Sequence, residues 1–80
     1  MQGSKQKARA GAADRAIGGR LRERRKELGL TQGDLGEAIG VSYQQIQKIE
    51  VGTNRLSALQ LWRLAGRLHV DLDYFFVHVD

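Results

Sequence analysis

Apolar residues recur at helical spacing through most of the chain. Between Gln32 and Val51 one set is Leu35, Ile39 and Val41 and a second is Ile46 and Ile49, with Gly40 between them. Spacings of four and three place Leu35 with Ile39, and Ile46 with Ile49, on single helix faces that can be buried. Tyr43, Gln44, Gln47 and Lys48 remain outside. Upstream, Ile17, Leu21 and Leu28 predict a helix from about Asp14 to Leu28, with Arg15, Arg22 and Lys26 turned outward. Its Gly18 and Gly19 each lower helix stability by about 1 kcal/mol relative to Ala. Downstream, Ala58, Leu61, Leu64, Ala65 and Leu68 predict a fourth helix ending near Leu68. Val70 then turns inward, and Leu72 and Phe75 supply the core side of a short last helix, Leu72 to about Phe76, capped by Asp71. The terminal FFVHV carries the one period-two pattern and offers an edge strand as the alternative.

Local punctuation agrees with this segmentation. Thr31 with Asp34, Ser42 with Gln45 and Ser57 with Gln60 each match the capping-box spacing. Gly29 and Gly40 fall where the preceding helices must stop, because a residue past a helix end often takes the left-handed conformation. The middle turn is then about three residues, Gly40 to Ser42, as a helix-turn-helix requires. VGTNRL after the second motif helix reads as a loop.

The runs IGGRLRERRKELGLTQGDLGEAIGVSYQQIQKIE and GTNRLSALQLWRLAGRLHVDLDYFF resemble the lambda-repressor/Cro-like (XRE) transcriptional regulators, from Ile17 to Phe75. The resemblance implies an all-α, five-helix domain that binds operator DNA as a symmetric dimer. Three positions depart from the family pattern: Gly36 stands for a common Ala, Leu56 for a frequent Pro and His69 for a frequent Gly. The first two read as tolerable, and the third bears on how the fourth helix ends.

The same resemblance makes the helix after Ser42 the recognition helix, with its N-terminal half in the major groove. Gln44 and Gln47 then offer amides that fit adenine N7 and N6, Lys48 suits guanine O6 or N7, and Tyr43 reaches a thymine methyl or a phosphate. Gln32 and Ser42, at the two helix starts, become phosphate contacts. The loop residues Thr53, Asn54 and Arg55 join them, with Arg20 and Arg22 as weaker candidates. The resemblance also sets Arg25 against Glu50 as a structural ion pair between helices.

Charge and composition sharpen the picture. Residues 1–28 carry nine Lys or Arg against three acids, and residues 29–80 four against six, so the net +4 divides as +6 and −2. A basic half beside a helix-turn-helix points to double-stranded DNA. Residues 1–13, without large apolar spacing, read as a flexible basic tail before a 14–76 domain, with 77–80 as a C-terminal tail. Eighty residues bury a marginal core, which favours a homodimer. Leu59, Trp62 and Gly66 lie at i, i+3 and i+7, away from the Leu61 side, and with Phe76, Val77 and Val79 form the candidate dimer interface.

No Cys is present, no apolar run nears the roughly 20 residues of a membrane span, and the polar start lacks a signal-peptide core, so a cytoplasmic protein is expected. His69 and His78 have no ligand cluster around them, and neither a Gly-rich phosphate loop nor a nucleophile with a base is visible. The expectation is a non-enzyme without cofactor or metal. An antitoxin-type protein that neutralises a protein partner and regulates its own operon is the alternative from another class.

Overall fold

A computed structural model describes residues 2–79, with side chains over 11–79. Its elements in chain order are α1 (Gln2–Glu27), α2 (Gln32–Ile39), α3 (Tyr43–Glu50), α4 (Ala58–Leu68) and a 3₁₀ turn (Leu72–Phe76). The described residues contain four α-helices and no strand. The expected fifth helix is therefore the 3₁₀ turn, and FFVHV does not extend as an edge strand. Asp71 precedes that turn without a side-chain capping bond, contrary to expectation. In a 3₁₀ turn the third N–H, which a side-chain cap would take, is already bonded to the preceding carbonyl, here Tyr74 to Asp71 (3.1 Å).

Helix α1 starts twelve residues before the expected Asp14, so the segment read as a flexible tail is helical backbone from Gln2 onward; Met1 lies outside the described residues. Ala, Gln, Lys and Arg in this stretch are strong helix formers, and no Pro interrupts them. The lack of large apolar residues removed the burial pattern while leaving the backbone preference intact.

Leu21, Leu35, Ile46, Leu64, Leu68 and Phe75 are fully buried and form one core with Ile39, Ile49, Leu61 and Ala65. Ile17, Leu30, Val41 and Val70 pack at its margin. Helix α3 lies against α1 and α2, α2 also meets α4, and the 3₁₀ turn closes over α1 and α4. Three expected core residues are exposed instead: Leu28, Ala58 and Leu72. Leu28 follows the last residue of α1, where the chain reverses through Gly29 (φ 70°), so helical spacing no longer sets its direction and Leu30 packs inward in its place. Ala58 is the first residue of α4. Leu72 opens onto a groove beside Trp62 and Gly66, which the described residues leave uncovered.

Two arginines of α1 tie the C-terminal elements down. Arg20 donates from Nε to the Tyr74 carbonyl (2.8 Å), its guanidinium lies 3.6 Å from the Tyr74 ring centre, and the Tyr74 hydroxyl donates back to the Arg20 carbonyl (3.1 Å). Burial pushes the Tyr74 phenol above its ordinary value. Arg24 donates to the Leu68 carbonyl (2.9 Å), placing a cation at the negative end of α4. That helix ends on His69, which takes the left-handed conformation (φ 58°, ψ 47°) without being Gly. The helix stops at Leu68 as its apolar spacing predicts, and a β-carbon is carried in a strained region.

Candidate nucleic-acid interface

Local chemistry fixes where α2 and α3 begin and end. The Thr31 hydroxyl accepts from the Asp34 N–H (3.0 Å) and the Asp34 carboxylate accepts from the Thr31 N–H (2.8 Å), a complete capping box. The Thr31 N–H bonded to it is the main cause that holds the Asp34 carboxyl below its usual range. Helix α2 stops at Gly40, whose φ of 74° suits Gly, and Val41 donates to the Gly36 carbonyl (2.9 Å) to close the turn. The Ser42 hydroxyl then accepts from the Gln45 N–H (3.2 Å) and starts α3. Only half of this second capping box forms, because the Gln45 side chain is drawn elsewhere.

Within α3, Ile46, Ile49 and Glu50 are buried, whereas Tyr43, Gln44, Gln45, Gln47 and Lys48 are exposed. Burying an Ile side chain is worth about 1.5–3 kcal/mol, so Ile46 and Ile49 set the rotation of α3 and leave its polar face to solvent. Two glycines let the backbones meet at this helix. A β-carbon on Gly18 would fall against the Ile49 carbonyl oxygen and 2.8 Å from that of Glu50, and one on Gly36 would fall against the Val41 carbonyl oxygen. Gly36 is therefore more than a tolerable replacement for Ala: the close approach of the turn leaves no room for a β-carbon there. Gly18 likewise seats α1 under the end of α3, a role that helix propensity cannot reveal.

Arg25 and Glu50 meet across this contact. Arg25 donates from Nε to Glu50 Oε2 (2.7 Å) and from Nη2 to Oε1 (3.0 Å), and its Nη1 donates to the Leu30 carbonyl (3.1 Å). The side chains are 11% and 2% exposed, and bonding to Glu50 raises the Arg25 pKa against the opposing effect of burial. Gln32 adds a third donor, Nε2 to Glu50 Oε1 (3.0 Å). The Gln32 amide, expected to face a phosphate, thus points a donor inward, because a buried carboxylate needs more partners than one guanidinium edge provides.

The loop after α3 is held at three points. Asn54 donates from its amide to Gln45 Oε1 (2.8 Å), Thr53 donates from its backbone to the Lys48 carbonyl (2.9 Å), and Arg55 bonds to Asp14 of α1. Ser42, Thr53 and Arg55 are exposed, and Asn54 is half-buried. Arg20 is committed to Tyr74 and is not on this surface; Arg22 is exposed. Gln45 and Asp14 were missed in the sequence: a polar pair nine residues apart and an ion pair 41 apart leave no periodic trace. Leu59 and Trp62 on α4 and Phe76 in the 3₁₀ turn are 55%, 63% and 43% exposed.

Among the described residues no cluster of His, Cys, Asp or Glu can hold a metal ion, and no helix is long and apolar enough to cross a membrane.

Comparison with known proteins places this geometry. The helix-turn-helix family model matches residues 21–75. An uncharacterised HTH-type transcriptional regulator of Sinorhizobium fredii is 46% identical over 72 residues, 90% of this chain and 50% of that protein. An uncharacterised transcriptional regulator from the ATPase CF(0) region of Rhodospirillum rubrum is 52% identical over 63 residues, 79% of this chain and 58% of the relative. The chain thus spans about half the length of these relatives. Among solved structures, the restriction-modification controller protein C.AhdI from Aeromonas hydrophila superposes with a TM-score of 0.74 at 29% identity, covering 81% of this chain and 94% of that one. The clp gene regulator ClgR from Corynebacterium glutamicum gives 0.77 at 26% identity, over 81% and 69%. With the capped α2–turn–α3 unit lying inside the matched residues, the chain belongs to the XRE-type helix-turn-helix family of transcriptional regulators.

Proposed function

We propose that this domain binds an inverted-repeat operator as a homodimer, with the N-terminal half of α3 in the major groove of each half-site. The observation that carries the reading is the division of α3: Ile46, Ile49 and Glu50 are spent on the interior, and Tyr43, Gln44, Gln47 and Lys48 are left exposed. Gln44 and Gln47 pair with adenine edges, Lys48 with guanine or phosphate, and Tyr43 with a thymine methyl or phosphate. Gln32 through its helix-start N–H, Ser42, Thr53, Asn54 and Arg55 hold phosphates and set register rather than sequence.

The exposure of the large apolar side chains Leu59, Trp62 and Phe76 supports a two-fold contact between copies, with half-sites about 34 Å apart on one duplex face. Footprinting on genomic fragments, including the region upstream of its own coding sequence, tests the reading. A protected two-fold site is expected, with binding that falls steeply as salt rises. Gln44→Ala should lose discrimination at one base pair per half-site, and Trp62→Ala should sediment as a monomer. Failure to retain any duplex at low ionic strength would remove the proposal.

A further inference from the structure

The bond between Arg55 and α1 suggests a task for an acidic residue that no DNA contact would recruit. Arg55 donates from Nε to Asp14 Oδ1 (3.2 Å) and Oδ2 (3.3 Å), and from Nη2 to Oδ2 (3.4 Å). Asp14 is 15% exposed and Arg55 64%, so the carboxylate is the fixed member and the guanidinium the reaching one. The guanidinium is planar, and holding its Nε/Nη2 edge sets the direction of the Nη1 edge. Nη1 makes no hydrogen bond among the described residues.

The rest of the loop is already fixed on both sides. Gly52 (φ 85°) lies so close to Arg15 that a β-carbon there would meet the Arg15 backbone, Gly18 seats the end of α3, and Asn54 is tied to Gln45. The long side chain of Arg55 is the freedom that remains. We infer that Asp14 is a positioning residue for DNA binding: it orients Arg55 so that the Nη1 edge is offered to a backbone phosphate. The inference rests on the proposed DNA-binding reading.

The sign of the effect separates this role from simple charge. A carboxylate near DNA repels phosphate, so removing one should tighten binding. If Asp14 orients Arg55, removing it weakens binding instead. The experiment measures anisotropy of a fluorescent duplex carrying the footprinted site, with wild type, Asp14→Ala, Arg55→Ala and the double variant, and records thermal midpoints alongside. Asp14→Ala is expected to weaken binding about 3–10-fold, the scale set by Arg rotamer freedom. In the Arg55→Ala background the same change should leave affinity unchanged or slightly raise it. Asp14→Asn, which keeps the side-chain shape, should show the same sign if the Ala variant folds poorly. Tighter binding by Asp14→Ala, or an equal loss in both backgrounds, overturns the inference while leaving DNA binding itself standing. A wild-type protein that retains no duplex instead sinks the reading beneath it.

Discussion

Replacing Glu50 with Gln should destabilise the fold far more than a surface charge change would. Three donors converge on this carboxylate: Arg25 Nε, Arg25 Nη2 and Gln32 Nε2. Gln keeps the volume but offers one acceptor oxygen, and its own NH₂ must face a donor. Removing one partner of a buried pair costs about 3–5 kcal/mol, because the other charge is left uncompensated. Arg25 keeps 11% exposure and its bond to the Leu30 carbonyl, which selects the lower end, about 3 kcal/mol. For a domain of this size each kcal/mol moves the thermal midpoint by about 4–8 °C, so a fall of about 12–24 °C is expected. Circular dichroism melts and urea titrations at one protein concentration measure it, the fixed concentration removing any effect of self-association. Arg25→Met combined with Glu50→Met, which leaves no charge unpaired, should recover much of the loss. A cost below about 1 kcal/mol for Glu50→Gln would show that solvent screens the pair as it does on a surface, and the reasoning would fail.

The adjacent glycines of α1 should respond in opposite directions to Ala. Gly18→Ala pushes a β-carbon into the α3 carbonyls and is expected to cost about 1–3 kcal/mol, whereas Gly19→Ala, with open space around it, should gain about 0.5–1 kcal/mol; urea midpoints decide both. His69→Gly relieves a left-handed β-carbon and should add about 1 kcal/mol in the same assay. Asp34 has its folded pKa depressed chiefly by the Thr31 N–H, so its contribution is fully present above the ordinary carboxylate pKa of about 4 and is lost as pH falls from there through the lower folded pKa. Asp34→Asn should therefore flatten the acid limb of a stability-versus-pH curve; an unchanged limb would assign that limb to other carboxylates.

Helix starts were legible because their chemistry is local. Thr31, Ser42 and Ser57 each act on a residue three positions on, and Gly40 is forced by its own backbone. The buried stripe of α4 was legible for a related reason: Leu61, Leu64 and Leu68 share a face whatever the partner. Periodicity names a face, however, and not what covers it. Leu72 shares the register of Phe75, yet it stays exposed because none of the described residues covers it. Helix α1 escaped in its first half because backbone propensity without burial leaves no spacing to read. The backbone contacts through Gly18 and Gly36 were hidden for the opposite reason, since a missing side chain leaves no pattern. Arg25 with Glu50 came from family resemblance alone, and Asp14 with Arg55 from neither source.

The way α3 is seated has a consequence for change over time. Its pose is set by main-chain proximity and by residues that never face outward, so the four projecting side chains at Tyr43, Gln44, Gln47 and Lys48 bear almost no share of folding. On the proposed reading of these four residues, target preference can drift, or be rewritten in the laboratory, without a toll on the scaffold beneath it.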